Sequence, residues 1–237
     1  MNEAAVSLGV PGWFGKMPSL GDFASRRLPD AFIRGWDGWL QHGLAVARET
    51  LGDQWLDENV DAPARRFWLG PGVLGSACWT GAMMPSIDRV GRHFPLTIAI
   101  GLGGESHSLA AALASHLWFR AIEDAGRQVF DVAFTIDDLE SRLTDVASSV
   151  PHVTEEGSSV ESLAVSLLRP FAVTTRTPRS RRWTRSFTGG ADDNAPVIKP
   201  CSVWWCGDAH EEAQFLVVEA LPPAESFAAL LSVRSVS

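Results

Sequence analysis

Two short blocks of the chain combine charged side chains with glycine and proline, the composition expected of a rigid polar site. The first, GWFGKMPSLGDFASRRLP, covers residues 12–29, and the second, MPSIDRVGRHFPL, covers residues 84–96. Glycine and proline shape the backbone of loops, so each block can hold opposite charges in a fixed arrangement. The residues predicted to bind a partner or to brace these loops are Lys16, Ser19, Asp22, Arg26, Asp88, Arg89 and Arg92.

Three interpretations of these charges stay open. In the first, Asp22 and Asp88 accept hydrogen bonds from loop N–H groups or arginines and hold two irregular loops together. In the second, the charged residues of both blocks lie together on one face and dock a partner protein. In the third, the chain is a hydrolase, metal-dependent or otherwise, whose acids are Asp22, Asp88 and Asp208.

The common templates for catalysis and cofactor binding are not matched. Gly15 and Lys16 suggest a phosphate-binding loop, but Val10 stands where that loop needs glycine and Met17 where it needs serine or threonine. No G-x-S-x-G nucleophile motif occurs. We therefore predict no catalytic residue and no cofactor.

Metal ligands are also poorly spaced. The six histidines include no pair four residues apart on one predicted helix. Cys201 and Cys206 are followed by His210, which leaves a site there open, although we favour a strand pair with inward cysteines as the explanation of this spacing. We predict no metal site.

An arginine-rich segment, RTPRSRRWTR, forms a local positive patch on an acidic chain. Such a patch can hold an acidic or phosphorylated partner, or it can be a solvated loop, and both interpretations stay open. Its arginines are Arg176, Arg179, Arg181, Arg182 and Arg185. Three threonines of the same segment, Thr175, Thr177 and Thr184, are candidates for phosphorylation.

Helical periodicity identifies the elements that must position these residues. Apolar residues recur at helical spacing after Asp30, so we predict a long helix with Asp30 as its N-cap and Gly52 at its end. A second helix is predicted over residues 108–125, with Gly126 as its stop. One apolar side of that helix is expected to contain Leu109, Leu113, Leu117 and Ile122.

Aromatic and β-favouring residues predict the strands. A first strand ends near Trp13 and Phe14, and three more cover residues 66–69, 77–84 and 94–102. Residues 203–206 and 214–221 are predicted to form a further strand pair. Several connections are too short for a helical crossover, which favours antiparallel pairing.

The remaining patterns complete the predicted fold. Asp137 and Glu140 resemble an acidic capping box before a helix, and residues 222–233 predict a closing helix with proline in its first turn. Residues 174–200 are predicted to form a mobile loop. We expect one α/β domain of the α+β type over residues 1–237, with a mixed, mostly antiparallel sheet flanked by helices.

Composition excludes several functional classes. The net charge of -8 and the pI near 5.2 argue against binding to nucleic acid or anionic membranes, which requires a basic surface. Three cysteines, an odd number, favour a reducing compartment over a disulfide framework. The first residues lack a signal-peptide pattern, and no run of eighteen apolar residues occurs. We expect a cytoplasmic protein that does not insert into membranes.

The two blocks, together with FIRGWDGWLQHGL between them, resemble the TagF (ImpM) family of type VI secretion system-associated proteins. The resemblance is close over about the first hundred residues, and SVWWCG is a weaker match near the end. It implies a bacterial cytoplasmic accessory protein that restrains type VI secretion after translation and acts with a forkhead-associated scaffold protein. The family is not known to be enzymatic, and this chain lacks the Asp-Gly motifs of the phosphatase domain fused to some relatives.

A different role within the same apparatus is a permanent structural subunit. A subunit of that kind would expose a large, flat apolar surface when isolated. Trp204 and Trp205, which are adjacent in the sequence, are the residues most expected to lie on such a surface.

Overall fold

The computed structural model describes residues 9–55, 62–102, 109–147, 163–164, 166–167, 169, 172–173, 197–207 and 215–231. Its centre is an antiparallel sheet of seven strands, which confirms the predicted α+β class. The strands of this sheet are β1 (Gly12–Gly15), β2 (Ala24–Arg26), β3 (Arg65–Leu69), β4 (Cys78–Met84), β5 (Leu96–Leu102), β8 (Cys201–Trp205) and β9 (Leu216–Glu219). Their order across the sheet is β2-β1-β5-β4-β3-β8-β9.

In the described part of the chain, five α-helices with defined bounds flank the sheet. They are α1 (Asp30–Leu51), α2 (Leu109–Ala114), α3 (His116–Gln128), α4 (Ile136–Val146) and α5 (Phe227–Leu231). Two short 3-10 helices, Gly52–Gln54 and Ala224–Ser226, follow α1 and precede α5. A separate antiparallel pair joins β6 (Ala172–Val173) to β7 (Val197–Ile198), so two of the described residues in the segment 174–200 form a strand.

Each face of the sheet has its own apolar core. Residues on one face pack with α2, α3 and α4, as Trp205 of β8 does with Phe119 of α3. Residues on the other face pack with α1 and α5. Adjacent strand residues alternate between the two cores because successive side chains of a strand point to opposite faces.

The longest helix, α1, forms as its apolar spacing predicts. Phe32, Trp36, Leu40 and Leu44 are buried along one side. The indole N–H of Trp36 donates to Thr97 Oγ1 on β5 at 2.8 Å, which fixes the helix against the sheet. Gly52 ends the helix, as predicted, with a φ of 53°.

The predicted N-cap of α1 is one residue too late. Pro29 is the N-cap and Asp30 is the first helical residue, where its negative charge favours the positive end of the helix dipole. Proline suits a helix start because its fixed φ is compatible with the turn and no helical N–H is lost.

The second predicted helix is two helices. The helix is interrupted at Ser115, whose hydroxyl donates to the carbonyl of Ala111 at 2.7 Å. Gly126 lies inside α3 instead of ending it. A Cβ at this position would lie 2.5 Å from Met84 Sδ on β4, so the close packing of α3 on the sheet explains the glycine. Leu117 is 69% exposed, so its predicted place on the apolar side is wrong. The break at Ser115 changes the rotation of the following residues relative to the core.

The capping box before α4 lies two residues earlier than predicted. Thr135 is the N-cap, and Asp138 is the acidic partner that reciprocates its hydrogen bond. The predicted pair and the observed pair both have an acidic residue three positions after the N-cap. Thr135 is the better N-cap because its hydroxyl accepts the hydrogen bond from Asp138 N.

The C-terminal strands complete the sheet beside β3. Strand β8 pairs with β3 on one side and β9 on the other, as the predicted strand pair requires. Trp204 and Trp205 are 1% and 2% exposed, because β8 lies inside the sheet with helices over both faces. The expectation that either tryptophan belongs to an exposed apolar surface is therefore wrong.

The described closing helix is shorter than predicted. It consists of the 3-10 turn Ala224–Ser226 and the five residues of α5, after Pro223 as N-cap. Among the helices that the structure describes, none has the length and apolar character needed to cross a bilayer.

Candidate functional site

An ion pair joins the two signature blocks. Lys16 follows β1, and Asp88 lies in the connection between β4 and β5. Lys16 Nζ is 3.0 Å from Asp88 Oδ2, and both side chains are almost completely buried. The sheet brings the two blocks together because β1 pairs with β5, whose first residue, Leu96, is the last of the second block.

Backbone and side-chain hydrogen bonds extend this junction. Ser86 Oγ donates to the carbonyl of Lys16 at 2.6 Å. The N–H of Arg89 donates to the carbonyl of Leu20 at 2.9 Å, and Arg92 Nη2 donates to the carbonyl of Gly21 at the same distance. We call the junction formed by Lys16, Ser86, Asp88, Arg92 and the 17–21 backbone the loop brace.

Two glycines of the blocks have conformations that other residues rarely adopt. Gly15 has a φ of 143°, and a Cβ there would lie 2.2 Å from the carbonyl oxygen of Pro95. Gly91 has a φ of 79° and donates to the carbonyl of Asp88 at 2.9 Å, which closes the turn around the carboxylate. The glycine content of the blocks thus fixes the backbone on which the charges lie.

Both oxygens of Asp88 are used inside the loop brace. Oδ1 accepts the N–H groups of Val90 and Arg92, and Oδ2 accepts Lys16 Nζ and Arg92 Nε. Burial alone would raise the pKa of Asp88, but these bonds from Arg92, Lys16 and Val90 hold that pKa well below its usual range. A carboxylate so stabilised is a poor proton acceptor, which removes support for Asp88 as a hydrolase base.

The other predicted residues of the blocks lie at the surface. Ser19 and Asp22 are exposed in the loop between β1 and β2, and Asp22 Oδ1 accepts the N–H of the next residue, Phe23. Arg89 is exposed, with its guanidinium beside Gly21. Arg92 is 59% exposed although it bonds Asp88, so it belongs both to the loop brace and to the surface.

Arg26 belongs to a neighbouring contact. It lies on β2 opposite Trp13, about 10 Å along the strand from Lys16. The Arg26 charge acts on Glu140 of α4, which also accepts hydrogen bonds from Trp13 Nε1 and Arg27. Lys16, Asp88, Arg89 and Arg92 therefore meet at the junction of the two blocks, with Asp22 in the adjoining loop, whereas Arg26 lies toward α4. A shared partner-binding face stays a prediction.

Cys201 and Cys206 cannot hold one metal ion together. They stand at and just beyond the two ends of the extended strand β8, so their Cα atoms are about 16 Å apart. Burial raises the pKa of the Cys201 thiol to about 11, and burial also raises that of Cys206 despite its contact with Arg65. No group of three potential ligands for a metal occurs within the described ranges.

Several predicted residues lie outside the described residues. These are Asp208 of the hydrolase interpretation, His210 of the possible metal site, and the whole arginine and threonine segment. The segment's residues are Thr175, Arg176, Thr177, Arg179, Arg181, Arg182, Thr184 and Arg185.

A surface groove adjoins the loop brace. It has a volume of about 890 Å³ and runs between the C-terminal half of α1 and the residues that follow Asp88. Neither Asp22 nor Asp88 lines it. Its lining residues include Lys16, Phe23, Arg48, Trp55, Arg92 and Phe94.

Sequence reasoning did not identify the groove or its key residues. Arg48 lies in the last turn of α1, where a basic residue is explained by the helix dipole alone. Phe23 was part of the first block, but nothing in its spacing separates an exposed aromatic from a buried one. Only the packing of α1 against the second block places Arg48 beside His93, whose carbonyl accepts its hydrogen bond.

The chain was compared with known families and proteins. The model of the TagF N-terminal domain, described as type VI secretion system-associated, matches residues 12–146. The chain belongs to this TagF family. The match contains both signature blocks and the loop brace that joins them, which confirms the resemblance seen in the sequence.

A solved structure extends the similarity beyond the matched segment. The chain resembles the crystal structure of PA0076 from Pseudomonas aeruginosa PAO1 with a TM-score of 0.69 and 28% sequence identity, over 95% of both chains. A comparison with curated proteins found no match. The TagF family assignment makes this chain a type VI secretion-associated protein, and the likeness to PA0076 covers more of the chain than the family model does.

Proposed function

We propose that this chain is a non-enzymatic accessory protein that restrains type VI secretion after translation by binding another protein of the apparatus. The observation that supports this most is the TagF match over the loop brace, in a structure where Asp88 is fully engaged by internal bonds. The brace holds a surface in shape, and surfaces held in shape favour recognition because little conformational entropy is lost on binding.

The proposed partner is a forkhead-associated scaffold protein in the cytoplasm. The proposed mechanism is occlusion, in which assembly of the apparatus is blocked while this chain stays bound. The exposed residues of the blocks, Ser19, Asp22, Arg89 and Arg92, are proposed to contribute to the contact surface, whereas the buried Lys16 and Asp88 support it from below.

The function is tested by changing the amount of the protein in its host. Deleting the gene should increase the release of type VI substrates into the medium, and overproduction should decrease it. The cellular amount of those substrates should stay unchanged, since the effect is after translation. Release that responds to neither change would contradict the proposal.

The contact surface is tested with a charge reversal. Arg89→Glu should weaken co-purification with the forkhead-associated protein by about tenfold or more, since like charges at an interface cost several kcal/mol. Arg34→Glu is the matched control, because it makes the same charge change at an exposed arginine of α1 outside both blocks and should leave co-purification unchanged. Equal binding by both variants would remove Arg89 from the proposed surface.

A further inference from the structure

The groove beside the loop brace combines an aromatic lining with positive charge. Phe23 is 43% exposed, and its ring lies 4.6 Å from the ring of Phe94, which is buried below it. Lys16 Nζ lies 5.0 Å from the centre of the Phe23 ring. At the other end the guanidinium of Arg48 lies 5.0 Å from the ring of Trp55. An apolar side chain and an anionic group can therefore be accommodated next to each other.

The charge of the groove is opposite to that of the whole chain. Among its described lining residues, Lys16, Arg48 and Arg92 are basic and Asp53 is acidic. Asp88 lies behind the lining, and counting its charge still leaves the described residues of the groove with one net positive charge, on a chain of net charge -8. Burial, followed by the charge of Arg48, lowers the pKa of His93, so this histidine adds no charge near neutral pH.

The two arginines are the cations available to a ligand. Both Arg48 and Arg92 are exposed, whereas Lys16 is buried. Their present contacts hold them in place, since Arg48 Nη2 donates to the carbonyl of His93 and Arg92 Nε donates to Asp88. Arginines positioned in this way can bind carboxylates with little loss of side-chain freedom.

We infer that this groove binds an acidic segment of a partner protein, with an apolar side chain of that segment on Phe23 and its carboxylates at Arg48 and Arg92. The inference rests on the proposed function in taking the ligand to be a protein. Beyond the proposed function, it specifies the chemistry of the bound segment. It also extends the contact surface to α1, which lies outside the signature blocks.

Shape and overall charge favour a protein segment over other anions. The groove is open to solvent between a helix and a loop, so it fits a segment of a protein chain better than an enclosed small molecule. Its positive charge comes from few side chains, and the acidic remainder of the protein would be repelled by a bilayer surface or by nucleic acid.

The experiment is a selection from a random peptide display library on the purified full-length protein. The recovered peptides should be enriched in aspartate or glutamate adjacent to leucine, phenylalanine or tryptophan. Synthetic copies are then measured by fluorescence anisotropy against the wild type and the variants. Anionic vesicles are measured in parallel by sedimentation with the protein.

Two variants test the two halves of the groove. Arg48→Glu should weaken binding of the selected peptides by about tenfold or more because it places like charges together. Phe23→Ala should weaken binding by a similar factor through loss of the apolar contact. Arg34→Glu is the matched control, since it makes the same charge change on the same helix about 21 Å from Arg48, outside the groove lining, and should leave affinity unchanged.

Each other outcome contradicts the inference. Recovery of no binding peptide, enrichment of basic or purely apolar peptides, or equal binding by Arg48→Glu and Arg34→Glu would overturn it. Vesicle binding that depends on Arg48 would replace the protein segment with a lipid surface. The secretion response to gene deletion is independent of these results, so a failed groove and a failed regulatory function are distinguished.

Discussion

At the scale of single residues, the buried carboxylates of Asp88 and Glu123 are paired with basic side chains. Asp88 is held by Lys16 and Arg92, and Glu123 of α3 is held by Arg66 of β3 at 2.6 Å. A buried ion that loses its partner keeps its desolvation cost without compensation. Changes at these positions should therefore affect stability far more than changes of equal chemistry at the surface.

Asp88→Asn should lower the melting temperature by roughly 5 °C or more, because it leaves Lys16 buried beside a neutral group. Asp22→Asn, the same change in the exposed part of the first block, should have little effect. Thermal unfolding followed by circular dichroism measures both. A melting temperature of Asp88→Asn equal to that of Asp22→Asn would show that the loop brace does not stabilise the fold.

The contribution of Asp88 should depend on pH in a defined direction. Its pKa in the folded protein is lowered, so its stabilising effect is complete above its ordinary pKa near 4 and is lost as the pH falls toward the folded value. The difference in unfolding free energy between the wild type and Asp88→Asn should therefore narrow below about pH 4. Urea unfolding at several pH values checks this, and a difference that widens in acid would contradict it.

Glu123→Gln should reduce the free energy of unfolding by about 3–5 kcal/mol, since Arg66 would stay buried without its counter-charge. The control is Asp124→Asn on the same helix, whose side chain is 62% exposed, with an expected change within about 0.5 kcal/mol. Urea unfolding at neutral pH measures both. Similar values for the two variants would mean that the Arg66–Glu123 pair is not needed for folding.

At the scale of elements, close approach of helices depends on small residues. Helix α1 contacts α5 where Gly43 meets the ring of Phe227, and a Cβ on Gly43 would lie 2.2 Å from that ring. Gly38 on the same helix has open space around its Cα. Substitution by alanine should therefore change the stability of the protein in opposite directions at these two positions.

Gly43→Ala should destabilise the protein by about 1–3 kcal/mol because α1 and α5 must separate. Gly38→Ala should instead stabilise it by about 0.5–1 kcal/mol through the higher helix propensity of alanine. Chemical denaturation compares the two variants directly. A gain in stability for Gly43→Ala would show that α5 does not pack on α1 as the structure has it.

At the scale of the whole molecule, the segment matched by the family model does not contain all strands of the central sheet. Residues 12–146 provide β1 to β5, but β3 also pairs with β8, and Trp204 packs against Trp36 and Phe67. Without β8 and α5 a large apolar area of α1 and β3 would face water. We propose that the chain folds as one domain.

A fragment that ends at residue 199 should therefore fail to unfold cooperatively and should bind a hydrophobic dye such as ANS. Co-expression with residues 200–237 should restore a cooperative transition, because the missing strands are supplied in trans. Circular dichroism melts and dye fluorescence measure these outcomes. A cooperative, dye-free fragment would show that the N-terminal part is an independent domain.

The sequence by itself determined the local features of this protein. The apolar spacing from Phe32 to Leu44 predicts α1, Gly52 predicts its end, and the glycine and proline of the two blocks predict shaped loops. These features depend on contacts within a few residues, which the order of amino acids specifies directly. The same blocks carry the resemblance to the TagF family.

The tertiary structure alone decided the roles of the charged residues. Asp88 and Asp22 have the same chemistry in similar blocks, yet one is buried with four hydrogen-bond donors and the other is exposed. Likewise, Gly126 could end a helix or admit Met84, and Arg48 could cap a helix or line a groove. The choice depends on which distant strand or helix lies next to the residue, because burial and pairing are properties of packing between elements and not of spacing along the chain.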